Sequence, residues 1–189
     1  MSNHEASALS LHPRTLSLSG ARAMGFESFL IALAVVLPVV AHLVGAPVRY
    51  LLPMHWPVIL AGLVYGWRGG ALTGLLAPVV SYGLSGYPLP HILPSMTFEL
   101  LTYGLVAGIL RERLSLNAFL SAGIALIAGR IVFVLSVLVF GGAGTGTIQY
   151  FQSALTPGLV GALCQAVALP FVASWWIKQE QTYKNGKKG

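Results

Sequence analysis

Long apolar runs fill the chain from Phe26 to Ile177, and they are interrupted by proline, glycine and aromatic residues far more than by charge. The first run, FESFLIALAVVLPVVAHLV at 26–44, is long enough to cross a bilayer as a helix and carries Pro38, where a kink is expected. GAPVRYLLPMHW at 45–56 follows as a loop, with prolines at 47, 53 and 57 bracketing Arg49, His55 and Trp56. PVILAGLVYG at 57–66 begins with proline, which suits a first helical turn, but is too short to span alone. WRGG at 67–70 predicts a tight turn into ALTGLLAPVVSYGLSG, and Gly66, Gly70 and Gly74 fall at the four-residue spacing of close helix contacts in lipid. A second break, YPLPHILPSM, leads into TFELLTYGLVAGILRER, which carries Glu99, Tyr103 one turn on, and a second glycine pair at 104 and 108. The run Ala118–Phe140 holds Arg130 near its middle. GGAGTGTIQYFQ then breaks the pattern before the last run, Ser153–Ile177, which carries Thr156, Pro157, Gln165 and Pro170 and ends at Trp175 and Trp176.

These runs predict an all-α integral membrane protein, a six-transmembrane-helix bundle with both termini cytoplasmic. Charge supports the count. With both ends inside, nine basic residues (Arg14, Arg22, Arg68, Arg111, Arg113, Lys178, Lys184, Lys187 and Lys188) lie inside and only Arg49 lies outside. Merging residues 57–84 into one helix would part the N-terminal arginines from the C-terminal lysines and leave Arg68 in the membrane. The expected organisation is a cytoplasmic N-terminal arm at 1–24, a membrane domain at 25–178 and a basic cytoplasmic tail at 179–189. The run 26–44 is longer than a signal-peptide core and reads as the first membrane helix.

Composition narrows the function. Of 189 residues, 56% are hydrophobic and 8% charged, too little polar surface for a soluble domain of this size. The net charge of +6 sits at the ends and in short loops, which fits contacts with membrane lipids rather than nucleic acid. The chain has no Asp, no paired carboxylates, no nucleophile elbow, no zinc-protease motif and no phosphate loop, so it does not read as an enzyme and no cofactor is implied. Cys164 stands alone in an apolar run, which excludes a disulfide framework and a cysteine metal site.

The predicted topology brings three loops, 45–56, 86–95 and 141–151, to the outer face. Their residues His55, Trp56, Tyr87, His91, Gln149, Tyr150 and Gln152 then stand at the mouths of the helices that hold Glu99 and Arg130. On a rise of about 1.5 Å per residue, Glu99 lies about 6 Å and Arg130 about 15 Å below the outer ends of their helices, within reach of an arginine side chain. An unpaired charge at such a depth costs at least about 2.5–3.5 kcal/mol, so each must face protein, a partner or a cavity. Two arrangements satisfy this: a buried ion pair that fixes helix packing, or a polar pocket open to the outside. His42, His55 and His91 are a conceivable metal set, but their spacing does not impose ligation, and the site reading assigns no metal.

Taken in order, Pro53-x-His55-x-Pro57, Leu-Ala-Gly at 60–62, Gly-Ala at 70–71, Pro78 with Ser81, and Glu99-Leu-Leu-Thr-Tyr-Gly at 99–104 resemble the substrate-binding S components of energy-coupling-factor transporters. Those proteins import vitamins and related micronutrients in bacteria. The resemblance implies a six-helix bundle in the bacterial cell membrane that captures a small vitamin-like solute from outside. It also implies partners on other chains, a transmembrane coupling subunit and cytoplasmic ATPases, with the loop at 45–56 capping the pocket. By position it assigns contacts to Glu99, Tyr103, Arg130, Gln149 and Gln152. The family's Ala-x-x-x-Ala docking pattern in the first helix is met here only by Ser28 with Ala32. Two alternatives remain at this level: a membrane scaffold or assembly subunit whose polar groups only join helices, and a divalent-metal permease component using the histidines.

Overall fold

The structure is a computed structural model that describes residues 14–140 and 147–187, with the side chains of Arg49 and of residues 147–155 outside that description. Its elements are α1 (Ala21–Leu43), α2 (Val48–Leu51), α3 (His55–Ser85), α4 (Leu93–Glu112), α5 (Ala118–Phe140) and α6 (Thr147–Gly186). No strand occurs among the described residues. Five of the helices, all but α2, are long and apolar enough to cross a membrane. α1 and α5 expose large apolar side chains such as Phe29, Leu43, Ile127 and Val139, as helices facing lipid do. This is a multi-pass membrane protein.

Helix boundaries follow the local chemistry. Pro38 lies inside α1, and Pro94 occupies the first turn of α4, where its missing N–H costs nothing. Gly86 ends α3 in the left-handed conformation. α5 covers the apolar run read from the sequence, residue for residue. α1 starts at Ala21, inside the polar arm, because Arg22 pairs with Glu180 at 2.8 Å and lies 4.0 Å from the centre of the Tyr183 ring. α6 likewise continues through Gly186, so the basic tail begins as helix.

α3 is two helices joined at Gly66, whose φ of 74° and ψ of −166° are non-helical. In a straight helix Gly62 and Gly70 would lie about 12 Å apart along the axis. Instead, a Cβ added at either glycine would meet the same Gly104 carbonyl oxygen, so the chain doubles back at Gly66 and both limbs lie along α4. Gly74 meets the Leu100 carbonyl, and Gly108 meets the backbone of Gly66 and Trp67. Absence of side chains lets three helical segments approach backbone to backbone. The limbs supply much of the core, with Val58, Ile59, Leu63, Val64, Thr73 and Ala77 fully buried against Leu100, Tyr103 and Ala107.

Gly66 occupies a region of backbone space open essentially to glycine. Gly66→Ala is expected to cost about 1–3 kcal/mol in backbone strain, before the Glu112 carboxylate gives way to the new methyl. Thermal unfolding in detergent should show a lower midpoint; an unchanged midpoint would refute the turn geometry.

The end of the bundle near Gly66 is tied together by polar contacts. The Trp67 N–H donates to Glu112 Oε2 at 3.2 Å, and the Leu16 N–H donates to the Val64 carbonyl at 2.6 Å. Arg111 donates to the carbonyls of Arg14 at 2.9 Å and Leu116 at 3.2 Å. A little deeper, Thr73 donates to the buried carboxylate of Glu27 at 2.6 Å, a joint between α1 and α3 that the apolar pattern gave no reason to single out.

Candidate functional site

At the opposite end of α4, Glu99 and Tyr103 stand one turn apart and share a face, so the tyrosine hydroxyl donates to Glu99 Oε1 at 2.7 Å. Arg130 enters from α5 and brings Nη1 to 2.9 Å from the same oxygen. His55, the first residue of α3, places Nε2 at 3.7 Å from it, too long for a hydrogen bond, with its ring 5.3 Å from that of Tyr103. Glu99, Tyr103 and His55 are all buried.

Glycines make the convergence possible. Gly129 lies against the Tyr103 ring, so a tyrosine on α4 packs directly on the α5 backbone and the next residue, Arg130, emerges beside Glu99. On α6, Gly158 leaves room for the Arg130 guanidinium and Leu52, and Gly161 for the Tyr50 carbonyl. Gln165, two turns beyond Gly158 on the same face, donates from Nε2 to the Leu52 carbonyl at 3.4 Å. Leu52 has φ of 48°, and this left-handed turn delivers the chain from α2 into α3 directly over the cluster. Trp56 donates from Nε1 to the Leu51 carbonyl at 2.8 Å and fixes the same connection.

The Glu99–Arg130 pair cancels its own charge, yet the cluster is rich in unused hydrogen-bonding capacity. Among the described residues, Arg130 Nη2, both nitrogens of His55 and Gln165 Oε1 are buried without a hydrogen-bond partner. A buried polar group left unpaired costs about 1–3 kcal/mol. Four such atoms around one ion pair on three helices can accept and donate to a polar solute.

The sequence-derived residues divide into three groups. Glu99, Arg130, His55 and Tyr103 come together, with Trp56 beside them. Tyr87 and His91 lie exposed, Tyr87 with its ring 5.8 Å from that of His42. Gln149 and Gln152 fall on the first turns of α6, and their side chains lie outside the described residues, as does Tyr150. The two described histidines of the outer set, His42 and His91, do not join His55, and no group of three His, Cys, Asp or Glu is placed to hold a metal among the described residues. Gln165 was missed as a site residue. Its signal was its isolation, an amide in an apolar run seven residues after a glycine.

Comparison with known proteins is consistent with this geometry. The family model described as ECF transporter, substrate-specific component, matches residues 23–177, most of the chain. No curated protein matches, and no solved structure does.

Proposed function

The chain belongs to the substrate-specific components of ECF transporters, and from that premise we propose that it captures a small water-soluble vitamin or precursor in the centre built on Glu99 and Arg130. It is a transporter subunit, not an enzyme. The observation that carries the reading is the cluster of buried, unpartnered polar atoms on Arg130, His55 and Gln165 around an already neutralised ion pair. A purely structural pair needs no such surplus. In this reading the turn at Leu52 and Trp56 covers the ligand, and Tyr103 packs on it or steers Glu99. Uptake is driven by a transmembrane coupling subunit and cytoplasmic ATPases on other chains. The two limbs of α3 count as separate passages, giving six with both termini in the cytoplasm of a bacterial cell.

Ligand that co-purifies with the protein, released and identified by mass spectrometry, tests the proposal directly. Gln165→Leu removes the buried acceptor Oε1 together with the Nε2 bond to the Leu52 carbonyl, without disturbing charge, and should weaken equilibrium binding of that ligand by about tenfold or more. Protein that carries no solute, and whose melting responds to none of a panel of water-soluble vitamins and precursors, would sink it.

A second reading rests on the 2.9 Å contact itself. If Glu99 and Arg130 only hold α4 to α5, then replacing both with uncharged residues of similar size leaves uptake intact, as buried pairs often permit.

A further inference from the structure

A cavity of about 480 Å³ opens at the Gly66 end of the bundle, where it is lined by residues from four separated parts of the chain. Thr15, Ser17 and Ser19 form one wall, Arg68 and Glu112 the floor at the α3 reversal, and Lys184 the side contributed by α6. It lies about 20 Å along α4 from Glu99, thirteen residues away, and is separate from the site described above.

The wall is fixed in place. Leu16 is buried, its N–H bonded to the Val64 carbonyl, and the carbonyl of Arg14, two residues earlier, is held by Arg111. That backbone keeps Thr15, Ser17 and Ser19 at the cavity, with the hydroxyls of Ser17 and Ser19 2.9 Å apart. Neither Arg68 nor Lys184 forms a salt bridge among the described residues; the Arg68 guanidinium rests 5.3 Å from the centre of the Trp67 ring. The acid in the lining is already engaged, because Glu112 Oε2 accepts the Trp67 N–H. Two cations without a salt bridge against one hydrogen-bonded carboxylate leave the lining with net positive charge, and with three hydroxyls they make a recess suited to an anion that also carries hydroxyl groups. Its volume is in the range of small-molecule sites and well above what a bare ion would fill.

We propose that this cavity binds a hydroxylated phosphate ester, and that its source is the headgroup of an anionic glycerophospholipid. The phosphate sits between Arg68 and Lys184, and headgroup hydroxyls reach Glu112 and the serines. Basic recesses between membrane helices at the level of the headgroups bind anionic lipids through this chemistry. Arg68 lies two residues beyond the α3 reversal and Lys184 seven residues beyond Ile177, where the last apolar run ends, and in this proposal the boundary between bilayer and water lies at that level. A lipid seated there would join the segment 15–19, α3 and α6 from below.

The test uses the full chain in phosphatidylcholine nanodiscs, with phosphatidylglycerol as a minority component, and native mass spectrometry to measure retained lipid. Arg68→Gln with Lys184→Gln should cut retained phosphatidylglycerol about tenfold, two charge-assisted contacts being lost. Both positions are exposed, so the variant should fold. The charge-matched variant Arg113→Gln with Lys178→Gln should retain lipid like the parent. Equal loss in both variants, or no retention by the parent, would overturn the site. Glycerol phosphate added to pure phosphatidylcholine discs separates the sources: retention equal to that of phosphatidylglycerol, lost in the first variant only, would leave the phosphate chemistry standing and overturn the lipid assignment.

Discussion

Arg130→Met is expected to destabilise the protein by about 3–5 kcal/mol, the usual cost of stranding one member of a buried pair. The direction of the asymmetry follows from exposure. The Glu99 side chain is 3% exposed and that of Arg130 19%. Removing the arginine therefore leaves a buried carboxylate, with Tyr103 as its remaining donor among the described residues. Glu99→Gln leaves the arginine partly hydrated and should cost clearly less. Glu99→Gln combined with Arg130→Met should recover most of the stability, while ligand binding is lost in both Arg130 variants. Thermal unfolding of the three proteins, with equilibrium binding of the co-purified ligand, measures both effects. Equal midpoints across the series, or binding retained in the double variant, would contradict the assigned roles.

Gly104→Val should be as damaging for a different reason. The added carbons meet the Gly70 carbonyl, and the Gly62 and Gly70 limbs both close on the Gly104 backbone. No flexible side chain can move aside, so the cost should reach at least about 3 kcal/mol, the upper end of overpacking. A useful control is Gly123→Val on α5, where an added Cβ would meet nothing within 4 Å. The control should purify as the parent does on size exclusion. Gly104→Val should give little monodisperse protein, and similar yields for the two would show that the close approach does not govern folding.

Much of this was legible along the chain. The apolar runs placed α4 and α5, and the spaced glycines announced close helix contacts, since hydropathy and small-residue spacing are local signals. Glu99 and Arg130 stood out because a charge deep in an apolar run must find a partner. Gly66 was read as the start of a four-residue spacing, although its larger role is to reverse the chain. In the sequence the turn reads at WRGG, whereas the break falls at Gly66 just before it and residues 67–70 are already helical; no local pattern says that both limbs will face one glycine on α4. Gln165 joins the cluster only through the turn at Leu52, a contact across 113 positions. Glu27 escaped notice because its partner, Thr73, lies 46 positions away and looks like an ordinary helix residue. Tyr87 and His91, read at the same mouth, lie exposed and outside the Glu99–Arg130 cluster. Loops that share an end of a bundle need not share a site.

The reversal at Gly66 also governs parity. On the six-passage reading, one backbone conformation makes the number of crossings even and so brings the two ends of the chain to the same side. On the same reading Arg22 on α1 and Glu180 on α6, which pair at 2.8 Å, stand on one side of the membrane. A residue that let the two limbs run on as a single rod would make the number odd, and this handshake between the termini would have a membrane in between.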